Sequence, residues 1–205
     1  KYMKTIDCFG ILTFLIAFFF ANIKPNHLAY VSFKLITTSL FILKSCQIPS
    51  TIFHHKTAAF ICYFLGDFLI TIKGKHHLYF LALSSASFLV GHLLLIASFQ
   101  EISPKSLGIS LLMAVLVPAV LFFNKIQFAA LVISVFYIWG CVMVFVLAVA
   151  NKSGRKLQVA ALLFYVSDCM VAVRSFIKRE GWAKQVGHFV LLGTYYVACF
   201  VYAEY

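Results

Sequence analysis

Apolar runs of near-spanning length recur from one end of this 205-residue chain to the other, and a helix needs about 20 apolar residues to cross a bilayer. The runs are continuously apolar rather than alternating, which excludes a membrane barrel. Only helices and closed barrels satisfy their backbone groups in lipid. The chain is 63% hydrophobic and 11% charged, against roughly 25% charged in soluble domains. We therefore expect an all-α, polytopic membrane protein.

Breaks at proline, glycine and clusters of charge divide the chain into eight predicted helices. Together they predict one integral membrane domain over residues 1–205, a bundle of eight transmembrane helices. The first run is interpreted as a span rather than a signal peptide, because so many further spans follow it. The predicted helices are about 5–22, 28–45, 57–72, 77–99, 107–123, 127–150, 157–173 and 187–203.

The net charge of +11 comes from 17 basic residues that fall mostly in the short gaps between apolar runs. Basic residues there flank spans and meet lipid headgroups, so we expect no nucleic-acid partner. Eight helices put both termini on one side, called side A, opposite side B. Lysine and arginine are equally numerous on the two sides, which leaves orientation open, as the sequence also leaves oligomeric state. We expect a multi-pass protein of a bacterial inner membrane or a eukaryotic endomembrane.

The cysteines and histidines show no metal-ligand spacing along the sequence. The histidine pairs His54–His55 and His76–His77 have no HExxH pattern, and no CxxC pair occurs, so we expect no metal site. Scattered cysteines within apolar runs are expected to pack as small apolar residues. The six are Cys8, Cys46, Cys62, Cys141, Cys169 and Cys199.

Two acidic residues interrupt apolar runs: Asp67 in "YFLGDFLI" and Asp168 in "FYVSDCMV". The other acidic residues lie near helix ends or in gaps. Lys34 in "YVSFKLITTS" is expected to be the one further buried charge, because the other basic residues can reach an interface. Charge at this depth is costly unless it is paired or hydrated, so these residues predict a functional site in the bundle interior.

Counting residues from the predicted helix ends places Lys34, Asp67 and Asp168 at one level near side B. The eighth helix brings further polar groups to nearly that level, and the sixth and fourth helices contribute residues that are expected to lie deeper. This pattern predicts a polar intramembrane pocket that opens toward side B. The additional polar residues are Thr194, Tyr195, Tyr196, Tyr137 and His92.

Two carboxyl groups near one lysine are expected to differ in protonation state. The lysine stabilises the ionised form of the carboxylate it contacts, whereas burial and like-charge repulsion favour the protonated form of the other. This is the environment of an acid/base pair. No GxSxG pattern is present, which argues against ester hydrolysis by a serine nucleophile.

Four motifs, "GDFLI", "FLVGH", "LLFYVSDCMVAVRSF" and "TYYVA", resemble the YhhN-like family, which includes the transmembrane lysoplasmalogenases. The resemblance implies an eight-helix membrane enzyme. It would hydrolyse the vinyl ether bond of a lysoplasmalogen to a fatty aldehyde and glycerophosphoethanolamine or glycerophosphocholine. A departure is Cys199, where the family often has glutamine. The matching residues are Lys34, Gly66, Asp67, His92, Tyr137, Ser167, Asp168, Thr194, Tyr195 and Tyr196.

The resemblance assigns roles to these residues. Asp67 and Asp168 are the expected catalytic residues, without a decision on which is the acid. Lys34 is expected to tune the pair or to meet the lipid phosphate. The lysophospholipid substrate and membrane lipids are the expected partners, and no metal or organic cofactor is required. The expected substrate-binding residues are Lys34, His92, Tyr137, Ser167, Thr194, Tyr195 and Tyr196.

Two other functions fit the same composition. Buried Asp and Lys clusters also form proton relays in transporters, and a small proton-coupled transporter would need a polar path that continues to side A. A non-enzymatic lipid-binding protein would keep its function after loss of both aspartates. The spacing of Asp67 and Asp168 by four helices is a weak indication of two parallel four-helix halves.

Overall fold

Eight α-helices make up nearly all of the described chain. The computed structural model describes residues 2–23, 26–47, 53–72, 77–99, 102–122, 128–151, 154–176 and 181–204, and no strand occurs among them. The helices are α1 (Tyr2–Asn22), α2 (His27–Cys46), α3 (Phe53–Thr71), α4 (His77–Ile96), α5 (Pro104–Phe122), α6 (Phe128–Ala150), α7 (Arg155–Phe176) and α8 (Gly181–Glu204).

The predicted all-α class and helix order are confirmed, and the main differences lie at helix ends. Helix α3 begins at Phe53 and α8 at Gly181, both earlier than predicted. The prediction began each helix after its first lysine, Lys56 in α3 and Lys184 in α8, but a helix can extend past such a residue in its first turn. Asn26 caps α2, because its side chain accepts a hydrogen bond from the backbone N–H of Ala29 at 3.1 Å.

Four of the helices are long and apolar enough to cross a membrane. Within the described residues, these stretches are Thr5–Asn22, His27–Cys46, Tyr79–Ile96 and Gln185–Glu204. Helix α3 is not among them, since it includes His54, His55, Lys56 and Asp67. These four are the candidate membrane-spanning helices, and the crossing of all eight stays a prediction.

The chain divides into two compact units. The first comprises Lys1–Gly91 with Ala203–Tyr205, and the second comprises His92–Tyr202. In the first unit, α2 packs against both α1 and α3. In the second unit, α6 packs against α5 and α7.

Serine hydroxyls link neighbouring helices through the backbone. Ser84 and Ser87 of α4 donate to the carbonyl oxygens of Gly66 and Cys62 of α3, at 2.9 and 2.7 Å. In the second unit, Ser167 of α7 donates to the carbonyl oxygen of Leu191 of α8 at 3.0 Å. Small polar residues thus hold helices at close range, as is usual between helices in membranes.

Lys44 is buried, contrary to the expectation that basic residues other than Lys34 reach an interface. Its side chain is 0% exposed, and its Nζ donates to the carboxylates of Asp7 and, at 2.8 Å, Glu204. Because these two carboxylates compensate its charge, Lys44 does not have to extend to the membrane surface. Lys56 is also buried. The prediction of a single buried lysine is therefore wrong.

Two glycines allow α3 and α4 to approach closely. A Cβ atom on Gly66 would lie 2.7 Å from the ring of Phe88, and one on Gly91 would collide with the ring of Tyr63. The Tyr63 and Phe88 rings also stack with their centroids 5.8 Å apart. The core between these helices therefore has no room for a methyl group at either glycine.

We expect Gly91→Ala to destabilise the protein by about 1–3 kcal/mol, the usual cost of overpacking. Gly193→Ala is the matched control, because nothing lies within 4 Å of a Cβ at that helical position. Thermal unfolding in detergent should show a lower midpoint for Gly91→Ala and an unchanged or higher midpoint for Gly193→Ala. Equal midpoints for Gly91→Ala and wild type would contradict the close contact.

Candidate functional site

Asp67 forms a buried ion pair with Lys34 in the first unit. Lys34 Nζ lies 2.8 Å from Asp67 Oδ1, and the two residues are 5% and 3% exposed. The expectation that Lys34 of α2 and Asp67 of α3 lie at one level is confirmed by this contact. The pairing also favours the first of the two roles predicted for Lys34, tuning of a carboxylate, over contact with a lipid phosphate.

Thr38 is a second partner of Asp67 that the sequence analysis missed. Its hydroxyl lies 2.8 Å from Asp67 Oδ2 and 3.0 Å from the carbonyl oxygen of Lys34. Residues four apart share one face of a helix, so Lys34 and Thr38 meet Asp67 together. The spacing in "KLITT" is the signal that could have identified Thr38.

Both carboxyl oxygens of Asp67 have a hydrogen-bond donor beside them. One oxygen faces an ammonium group and the other a hydroxyl group, and both are hydrogen-bond donors. An ammonium group and a hydroxyl group are partners from which a carboxylate accepts hydrogen bonds. Asp67 is therefore suited to act as a fixed negative charge.

Asp168 has different partners, in the second unit. The hydroxyl of Tyr137 donates to Asp168 Oδ1 at 2.5 Å, and His92 Nε2 lies 3.1 Å from Oδ2. Asp168, His92 and Tyr137 are only 2%, 1% and 6% exposed. His92 and Tyr137 were expected to lie deeper than the aspartate, but their long side chains bring their polar atoms to it.

His92 Nε2 and Asp168 Oδ2 share one hydrogen bond. A hydrogen bond between Nε2 and Oδ2 needs a proton on one of the two atoms. The Tyr137 hydroxyl donates to the other carboxyl oxygen, Oδ1. A carboxyl group that is hydrogen-bonded to an imidazole and a phenol can serve as a general acid or base.

Aromatic rings enclose this group of side chains. Phe164 meets the rings of both His92 and Tyr195 edge-on, with centroid distances of 5.2 and 5.4 Å. Tyr195 is 5% exposed. Rings around a hydrogen-bonded pair exclude water and strengthen the electrostatic interactions inside.

Two of the remaining predicted site residues, Ser167 and Thr194, donate hydrogen bonds to backbone carbonyl oxygens. The Thr194 hydroxyl donates within its own helix to the carbonyl oxygen of Val190 at 2.8 Å. Ser167 donates to α8, as described above. Tyr196 is buried, at 2% exposure. The substrate-binding roles of Ser167, Thr194, Tyr195 and Tyr196 stay predictions.

Comparison with known proteins identifies the family. The model of the YhhN family matches residues 28–204, which is most of the chain. The chain belongs to the YhhN family. This family includes lysoplasmalogenases, and its match covers both aspartates and the partners described above, Lys34, Thr38, His92 and Tyr137. No curated protein and no solved structure matches the chain.

The two acids of this YhhN-family protein therefore have distinct local environments. Asp67 lies with Lys34 and Thr38 in the first unit, and Asp168 lies with His92 and Tyr137 in the second. That the two carboxyls share one pocket stays a prediction.

We expect Lys34→Met to destabilise the protein by about 3–5 kcal/mol, because it leaves Asp67 buried and uncompensated. The double variant Lys34→Met/Asp67→Asn removes both charges and should be more stable than Lys34→Met alone. Lys156→Met, at an exposed lysine of α7, is the control and should unfold like wild type. Denaturant unfolding in detergent measures all three, and equal stability of the single and double Lys34 variants would argue against the ion pair.

Proposed function

We propose that this protein is a membrane hydrolase that cleaves the vinyl ether bond of lysoplasmalogens. The products would be a fatty aldehyde and glycerophosphoethanolamine or glycerophosphocholine. Membership of the YhhN family supports this class of substrate. The observation that carries the proposal is the buried Asp168, held between a hydroxyl donor and a histidine proton partner.

Vinyl ether hydrolysis needs a proton delivered to carbon. Protonation of the alkene carbon farther from the ether oxygen uses the π electrons for the new C–H bond, and a lone pair of the ether oxygen stabilises the resulting cation as an oxocarbenium ion. Water then adds to the cationic carbon and loses a proton, and the hemiacetal breaks its bond to the glycerol oxygen. One water is consumed, and the acid regains the proton that it gave. Glycoside hydrolysis passes through a similar cation and also uses two carboxyl groups.

Asp168 is the proposed proton donor. Its Oδ2 faces His92 Nε2, which can return the proton taken from the attacking water. Tyr137 stabilises the carboxylate that remains after the proton has left. Phe164 keeps bulk water away from the pair, which limits loss of the proton to solvent.

Asp67 is proposed to supply the fixed charge of the reaction. Lys34 and Thr38 hold it ionised, and an ionised carboxylate stabilises an oxocarbenium ion. Asp168 is thus the proposed proton donor, and Asp67 is the proposed carboxylate that stabilises the oxocarbenium ion.

We expect Asp168→Asn to lower turnover of a lysoplasmalogen by about 10²–10⁴-fold, the usual contribution of a general acid, and Asp67→Asn to lower it substantially. Aldehyde release by purified protein in detergent measures this. Asp7→Asn is the matched control, because Lys44 keeps its contact with Glu204. Full activity of a folded Asp168→Asn protein would overturn the assignment.

Isotope incorporation tests the reaction itself. Hydrolysis in D₂O should place one deuterium on the carbon next to the aldehyde carbonyl, because that carbon receives the proton. Unlabelled aldehyde incubated with the protein in D₂O corrects for exchange. The saturated alkyl ether analogue, which has no alkene to protonate, should not be cleaved. Cleavage of that analogue at a similar rate would contradict the proposed mechanism.

We also expect Tyr137→Phe to reduce kcat by about 10- to 100-fold, since a hydrogen bond to a charged group contributes about 1.5–3 kcal/mol. KM should change little, because Tyr137 acts on Asp168 rather than on the lipid. Tyr202→Phe is the control, since the buried Tyr202 hydroxyl has no hydrogen-bond partner among the described residues. A proportional fall in both variants would indicate general loss of packing instead.

A further inference from the structure

Three metal-ligand side chains meet in the second unit, on three different helices. His92 of α4, Cys141 of α6 and Asp168 of α7 each present a ligand atom, and the three atoms lie within 4.8 Å of one another. Their exposures are 1%, 1% and 2%. Sequence spacing could not have revealed this trio, because its members lie on separate helices.

The distances suit a small tetrahedral ion. Bond lengths of about 2.0–2.3 Å place neighbouring ligand atoms of a zinc ion about 3.5 Å apart. His92 Nε2 and Asp168 Oδ2 are 3.1 Å apart. The sulfur of Cys141 lies within 4.8 Å of both, so a movement of about 1 Å completes a three-ligand site with a fourth position for water.

The chemistry of the donors selects the type of metal. A thiolate and an imidazole favour zinc, copper and cobalt over magnesium and calcium, which prefer oxygen ligands. A thiolate and a carboxylate together balance the charge of a divalent ion, so the occupied site is neutral. Neutrality removes most of the cost of burying the ion.

Tyr137 provides an outer-shell contact for such a site. Its hydroxyl donates to Asp168 Oδ1, which leaves Oδ2 as the oxygen that faces His92. Hydrogen bonds to the outer oxygen of a ligand orient it and tune its affinity for the metal.

We propose that His92, Cys141 and Asp168 bind a divalent transition-metal ion of the zinc class, and that this ion inhibits the enzyme. The inhibitory role rests on the proposed function. The ion takes the lone pairs of Nε2 and Oδ2, through which Asp168 and His92 exchange their proton. Binding also releases the proton of the Cys141 thiol to solvent, so the affinity for the metal rises with pH.

Cobalt is the probe for the site, because its absorption reports the ligands without any assay of activity. Co²⁺ added to the purified full chain in detergent should give a thiolate-to-cobalt charge-transfer band that saturates at one ion per chain. Zn²⁺ should displace it. Cys141→Ser should abolish the band, and His92→Gln should weaken binding at least 10-fold.

Cys199→Ser is the matched control, since Cys199 is also a fully buried cysteine of the second unit but lies outside the trio. This variant should keep the band. No band in wild type, or a band that survives Cys141→Ser, overturns the site. Size-exclusion chromatography identifies variants that fail to fold, and His92→Gln tests the site from a different helix.

Turnover with and without metal tests inhibition. Saturating Zn²⁺ should lower lysoplasmalogen turnover at least 10-fold, and a chelator should restore it. Cys141→Ser, compared with its own chelated activity, should need at least 10-fold more Zn²⁺ for the same effect. Activation of chelated wild type by Zn²⁺ overturns the inhibitory role. Absence of turnover in every condition contradicts the hydrolase, while the cobalt result still decides the metal site.

Discussion

The burial of charge among apolar helices is the constraint on which the rest of this structure depends. A charge removed from water needs a partner close by, or its cost exceeds what a marginally stable fold can tolerate. Lys34 forms an ion pair with Asp67 of the next helix, and Lys44 forms ion pairs with Asp7 and Glu204. Each pair joins residues far apart in sequence, so each one specifies which helix segments must be neighbours.

The same constraint gives the two aspartates different chemistry. Asp67 has a full positive charge beside it, and removing the negative charge would leave Lys34 uncompensated. Asp168 instead faces a hydroxyl and an imidazole, groups that hydrogen-bond without imposing a fixed charge. We therefore propose Asp168, rather than Asp67, as the residue that exchanges a proton. Two identical residues in similarly apolar runs thus differ through the partners that other helices bring.

The sequence predicted the helices well because length and apolar content determine them directly. Counting residues along a helix also predicted the shared level of Lys34 and Asp67, since each residue adds a fixed rise. Counting does not give the rotation of one helix against another. Thr38 and Cys141 were therefore missed, and so was the burial of Lys44, whose position near a helix end suggested an interface. The predicted depth of His92 concerned its backbone, whereas its imidazole extends to Asp168.

The motifs "GD", "GH" and "SD" share one physical arrangement that explains their form. In each, the small residue makes a helix contact: Gly66 meets Phe88, Gly91 meets Tyr63, and Ser167 donates to the backbone of α8. The next residue is rotated by about 100° around the helix axis, so it faces a different neighbour.

That rotation brings Asp67 to Lys34, and it brings His92 and Asp168 to each other. The small residue sets the distance between helices, and the polar residue then reaches its partner within hydrogen-bonding range. A larger residue before any of these polar groups would push the neighbouring helix away and change that range. The functional side chains are therefore positioned by the residues immediately before them, as well as by their own hydrogen bonds.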